Sequence, residues 1–326
     1  MFKIFAAAND PNTWSSLQVK YFFKGVQLTS TELGILWKAH ISLSGRILIY
    51  DLVKDKTIDK EAQNILISAI TESQNVKNQI ETIFKNEKTV IPMGFNENDI
   101  VREAPPLFDD LFNIMFLRQM TKLVAGYSAV YSTMSYAKEV QDAFKITYDA
   151  GDKYYGITTN YLLGKGVLAK PPYVTMPKEV EFIEDNIFGM QLMTGFAQVA
   201  TESEVKKYFI EGKELSKKIV SELSDLLLQS DIQPPSTWAG RAMNSTKSPF
   251  SDKLMLYITS LISSSAIGYN ALGTSFSLRS DLHRKLALIS KDIFNYSKKG
   301  GKIMIKHKWM EEPPQMEDRN QLTKSK

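Results

Sequence analysis

Phe108-x-Asp110, Gly126-Tyr127, Ala129 and Pro171-Pro172 recur without a gap as Phe250-x-Asp252, Gly268-Tyr269, Ala271 and Pro313-Pro314. The offset is 142 residues throughout, and it also carries Pro92 onto Pro234. Identities are few. Yet an aromatic–acid start, a central Gly-Tyr and a Pro-Pro stop hold one register across the whole stretch. That placement marks a duplicated unit, and the apolar spacing inside it makes the unit helical.

Upstream, Thr29-Ser30-Thr31-Glu32 has capping-box form and predicts helix A over 31–54. Its stripe runs through Leu33, Leu36, Trp37, Ile47, Leu48 and Leu52, with His40 and Ser44 on the same face. Asp59 caps helix B, where apolar residues from Ala62 to Phe84 follow at steps of three and four. Pro92, Gly94, Pro105 and Pro106 make 91–106 a long loop, which lets helices B and C run parallel. Helix C, over 107–134, is apolar nearly all round, so it is buried on more than one side and joins the two units through its copy. Helix D, over 137–163, stops at Gly164-Lys165-Gly166, and Pro171-Pro172 prevents a restart. The second unit repeats the order: A′ over 178–200, B′ over 203–229, C′ from Phe250, and D′ over 278–305 with an interruption at Gly300-Gly301.

The expected fold is all-α: two tandem ferritin-like four-helix bundles, the second with a shortened first helix or connector. The expected boundaries are a lead-in at 1–27, bundle 1 at 28–173, bundle 2 at 174–315 and a tail at 316–326.

Composition removes several functions. There is no cysteine, which excludes disulfides, thiol catalysis and thiolate metal sites. A net charge of +4 is too mild for a protein built to neutralise nucleic acid. The cluster Lys298, Lys299, Lys302, Lys306, His307 and Lys308 sits at a helix C-terminus, where cations complement the dipole, and Glu311 and Glu312 follow it. Leu254 to Leu278 carries no charge and is long enough to cross a bilayer. Its serines, and the charges Arg118 and Lys122 of its copy, make it a buried central helix, so no membrane span is expected.

A ferritin-like bundle raises the question of a di-metal centre, which needs Glu-x-x-His on two helices. Glu61 is followed at that spacing by Asn64, Glu81 by Phe84 and Glu139 by Asp142, and no Glu-x-x-His exists in the chain. The three histidines, His40, His283 and His307, lie in separate helices. No metal, cofactor or catalytic residue is therefore expected, and no Walker loop, dinucleotide fingerprint or nucleophile elbow occurs. Five interior positions are candidates for a pocket: Trp37 and His40 on the A stripe, Asn186 at the A′ position matching His40 on an offset of 146, and the paired Tyr127 and Tyr269. Each also reads as structure: a core histidine bonded to a neighbouring helix, and tyrosines filling the space beside a glycine.

Four strings carry a resemblance: Leu28-Thr-Ser-Thr-Glu-Leu-Gly-Ile-Leu-Trp37, Gly195-Phe-Ala-Gln-Val199, Pro249-Phe-Ser-Asp-Lys-Leu-Met255, and Trp309-Met-Glu-Glu-Pro-Pro-Gln315 with Asp318-Arg319. They resemble an uncharacterised tandem-bundle family of spore-forming Gram-positive bacteria, distantly similar to spore-coat bundle proteins. The resemblance implies a cytoplasmic or spore-associated protein and carries no activity with it. The expected function is a non-catalytic structural or interaction protein, with an unknown protein partner or self-association. The alternative is a binder of an apolar or amphipathic small molecule between the bundles. A metal-dependent oxidoreductase comes third, disfavoured by the missing ligands.

Overall fold

A computed structural model of the protein describes residues 28–168, 177–229, 231–235, 241–276 and 280–313. The lead-in 1–27, Pro171-Pro172 and the tail 316–326 lie outside the described residues. Among those described, the helices are α1 Ser30–Lys54, α2 Lys60–Asn86, α3 Asp110–Thr133, α4 Lys138–Gly164, α5 Pro177–Val199, α6 Ser203–Leu228, α7 Asp252–Phe276 and α8 Ser280–Lys306. The chain is all-α, with four helices in each copy.

Helix starts follow local chemistry. Thr29 and Glu32 form the full capping box at α1, and the Asp59 side chain accepts from Glu61 and Ala62 N–H at α2. Helix α3 begins at 110 rather than 107, because 107–108 is committed to extended pairing and Asp109 caps Phe112 N–H at 2.8 Å. Helix α8 runs unbroken through Gly300-Gly301. Gly300 is a slot: a Cβ there would lie 2.5 Å from the Tyr208 hydroxyl, and one on Gly212 would lie 2.2 Å from the Tyr296 hydroxyl. The two rings stack at 4.2 Å and 3° between α6 and α8. Helix α5 has 23 residues against 25 in α1, so the helix itself is short by one half-turn at most.

The repeated acid explains the direction of the helices. Asp110 Oδ2, at the start of α3, accepts from Ile58 and Asp59 N–H at 2.9 and 2.8 Å, at the start of α2. Asp252, at the start of α7, accepts from Thr201 and Glu202 N–H at 3.1 and 2.7 Å, at the start of α6. The second and third helices of each unit therefore run parallel, as the long connection requires. At the opposite end of the first bundle, Glu32 of α1 accepts from Tyr136 and Ala137 N–H at 2.7 Å each, tying the α1 start to the α3–α4 turn.

The long loops join the units by a reciprocal pairing. Antiparallel bridges link Ile100 to Phe250 and Phe108 to Ala242. Each contact recurs at the 142 offset with the partners exchanged. Val101 N–H donates to Pro249 C=O at 2.9 Å and Met243 N–H to Leu107 C=O at 2.8 Å. Ser251 N–H donates to Asp99 C=O at 2.7 Å and Asp109 N–H to Arg241 C=O at 3.3 Å. Each unit's loop thus grips the start of the other unit's third helix, the arrangement of a two-fold interface inside one chain.

The third helices meet, as the all-round apolar pattern of helix C implies, where Tyr269 of α7 reaches Lys122 of α3, and α3 also lies on α5, the first helix of the other unit. Phe112 and Phe116 of α3 pack on Phe188 of α5 at 5.3 and 6.3 Å, and Phe196 connects Phe108 to Phe250 and Phe209. Arg118 pairs with Glu184, and Lys122 and Gln119 meet Asp185 at 3.1 and 3.0 Å. The apolar residues of both units form one continuous core.

Replacing Asp110 by Ala leaves two N–H groups at the α2 start without their acceptor, so stability falls by about 1–3 kcal/mol. Gly212→Ala drives a methyl into Tyr296 and costs about 1–3 kcal/mol through overpacking. Urea unfolding reads both, and an unchanged midpoint in either variant contradicts the assignment made for that residue.

Candidate functional site

The five candidate residues fall in three places. Trp37 and His40 lie on the buried side of α1, against α2 and the segment after α8. His40 Nε2 stands 3.1 Å from Glu81 Oε1, and Lys77 holds the same carboxylate at 2.7 Å. Phe84 closes the other side, edge-on at 6.4 Å, and the buried Nδ1 has no hydrogen-bond partner among the described residues. Trp37 Nε1–H donates to Glu311 C=O at 3.4 Å, and the Glu311 carboxylate accepts from Met93 and Gly94 N–H at 2.6 and 2.9 Å. The segment after α8 is thereby fastened across the first bundle.

Burial holds the His40 imidazole below its ordinary value of 6.5, and the bond to Glu81 only partly offsets this. For Glu81, the Lys77 ammonium does most to hold the carboxyl low, against the upward push of burial. The buried imidazole thus faces a carboxylate that reaches the surface. Among the described residues, no three His, Cys, Asp or Glu side chains stand close enough to hold a metal ion.

Tyr127 lines a groove between α1, α3 and α4, bordered by Leu261 of α7. Lys38 Nζ lies 4.9 Å over its ring, and Tyr131 stacks on it at 5.7 Å. Asn186 and Tyr269 share a different cavity, of about 80 Å³, within the second bundle and against α3. Asn186 Nδ2 donates back to Phe182 C=O at 2.8 Å, on its own helix. Tyr269 O–H donates to Lys122 C=O at 3.3 Å, and Lys122 Nζ lies 4.7 Å over the ring. A Cβ on Gly126 would come within 3.5 Å of that hydroxyl, whereas Gly268 faces open space, so the two Gly-Tyr pairs do not play the same part.

Sequence reasoning missed Glu81, Glu311 and Arg46, all drawn to the first bundle. Nothing in their spacing marks them: Glu81 and Glu311 meet His40 and Gly94 across 41 and 217 residues. Of the basic cluster at the end of α8, Lys299 pairs with Glu211 at 2.7 Å, and Lys306 and His307 pair with Glu204 at 2.7 and 2.6 Å. No helix among the described residues is long and apolar enough to cross a membrane. In α7, Leu254, Met255 and Ile258 are fully buried in the core.

A family model described as "Protein of unknown function (DUF3231)" matches the chain twice, over residues 19–180 and 181–322. No curated protein matches it. Among solved structures, it is similar to a "putative spore coat protein" from Bacillus halodurans C-125, at 14% identity and a TM-score of 0.41, covering 43% of this chain and 92% of that one.

A depressed His40 value makes the unfolded chain bind the extra proton first. Stability is then fully present above about pH 6.5 and falls as the pH drops through the interval down to the folded value. His40→Asn, which copies Asn186, flattens the stability–pH curve in that interval while leaving the acid limb below it. Urea midpoints from pH 7.5 down to about 4.5 measure this, and a variant curve that keeps the wild-type slope below pH 6.5 would falsify the assignment.

Proposed function

The chain belongs to the DUF3231 family, proteins of unknown function, in two tandem copies, and we propose that this member is a non-catalytic structural or interaction protein. One observation carries the reading: the buried carboxylates, and the cations between the units, are spent on holding the chain together. Asp110, Asp252 and Glu32 accept backbone N–H groups that fix helix ends, while Arg118 and Lys122 bind Glu184 and Asp185 across the two units. A reacting site needs such groups convergent and uncommitted. The working setting is sporulation, inside the cell or at the spore, supported by the strings that resemble the family of spore-formers. The partner is another protein or a further copy.

Two other readings follow. A binder of an apolar or amphipathic small molecule is supported by the cavities beside Tyr127 and Tyr269. A metal-dependent oxidoreductase ranks third, since no Glu-x-x-His stands on any helix.

Native mass spectrometry and elemental analysis of protein purified without chelator test the first reading. The expected mass is that of the chain or its oligomer, with iron and manganese far below one ion per chain. Stoichiometric iron or manganese, together with oxygen consumption, overturns it.

A further inference from the structure

The two bundles carry one cavity system in two forms. In the second bundle it is a single space, reaching from Tyr269 past Gly189 to Tyr296. In the first bundle it is split into the groove beside Tyr127 and an inner pocket beside Tyr154, and both are lined by Leu43 and Arg46. At the 146 offset Leu43 and Arg46 correspond to Gly189 and Leu192. Arg46 thus stands in the wall between the two pockets, with Leu43, Val124 and Thr147, and the second bundle has a leucine in its place.

Arg46 is only 5% exposed. Its Nε–H donates to Ser42 C=O at 3.3 Å, and no carboxylate lies within ion-pair distance of it among the described residues. Glu72 lines the inner pocket with Arg46, and Lys153 holds that carboxylate at 3.6 Å. Two phenols stand beside Arg46: the Tyr50 hydroxyl is buried within reach of the guanidinium, and the buried Tyr257 hydroxyl has no hydrogen-bond partner among the described residues. Burial pushes both phenols up, and the Arg46 charge pulls each partly back, so the cation stands close to both. At the open side of the groove, Lys38 rests on the Tyr127 ring with no carboxylate partner among the described residues. Between the two cations the walls are apolar: Leu43, Leu123, Val124, Phe144 and Leu261. A buried cation without an anion is a costly arrangement, and a guanidinium fork matches a carboxylate bidentately.

We propose that the groove between α1, α3 and α4 binds a short-chain aliphatic acid, its carboxylate on the Arg46 guanidinium and its chain against Leu123, Val124 and Phe144. The groove encloses about 40 Å³ and is open on one side, so it holds the carboxylate head while the chain runs outward along its apolar wall. Lys38 at the mouth steers the anion inward. The second bundle, with leucine at the matching position, does not share this specificity.

The test is calorimetry on the full-length protein with hexanoate, hexan-1-ol and inorganic phosphate as probes. Hexanoate is expected to bind one per chain and about tenfold or more tighter than hexanol, the worth of a charge-assisted hydrogen bond. Arg46→Met is expected to abolish that preference. Because Arg46→Met could fail to fold, Lys38→Gln, at an exposed position, serves beside it: hexanoate affinity falls several-fold and hexanol affinity holds. Equal binding of hexanol and hexanoate by the wild type, binding of phosphate in place of hexanoate, or no saturable hexanoate binding each overturns the proposal. None of these outcomes touches the non-catalytic reading, which metal and oxygen measurements decide.

Discussion

The structure depends on backbone hydrogen bonds that its two halves exchange. Val101 to Pro249 and Met243 to Leu107 are the same bond made twice, with the units trading places. Buried backbone groups must be paired, and the loops between the second and third helices have no helix of their own to pair with. Each therefore finds its partner in the other copy. Once the loops are committed, Asp109 and Ser251 can cap the third helices, and Asp110 and Asp252 can hold the second helices beside them. The aromatic core from Phe108 through Phe196 to Phe250 fills the space that this pairing encloses.

Periodic features were legible in the sequence, and reciprocal ones were not. The capping box at Thr29 and Glu32, the Asp59 cap and the stripe of α2 are local, and the helix bounds follow from them within a few residues. Asp110 and Asp252 stood out as a repeated acid, but their targets lie about 50 residues back, at Asp59 and Glu202, beyond any pattern of turns. Gly300-Gly301 read as a helix break, because a glycine's contact with a ring on another helix leaves no local trace. The buried charge was the least visible of all. Arg46 is the one charge in the 41–50 stretch of α1, and only the position of Tyr50 and Tyr257 around it distinguishes an interior cation from one that reaches water.

Comparison of the copies separates scaffold from adaptation. Residues that keep their identity at the 142 offset serve the frame: Phe108 and Phe250 the joint between units, Asp110 and Asp252 the helix starts within each unit. Residues that differ, such as His40 against Asn186 and Arg46 against Leu192, line the interiors of the bundles. The first interior holds a neutral histidine and a buried cation; the matching positions of the second are uncharged. Duplication has left the frame alone and changed the polarity inside it.

The exchanged loops also set an order of events. Synthesis delivers the first bundle with its half of the joint empty, until the chain has reached Phe250. Meanwhile the edge around Ile100 and Phe108 offers unpaired backbone to any strand that fits, and a neighbouring nascent chain carries one that does. Covalent linkage of the two copies resolves this competition, because a tethered partner acts at a high effective concentration as soon as it is made. In kinetic terms the fused repeat is a built-in chaperone: the second bundle covers the first before a second molecule can.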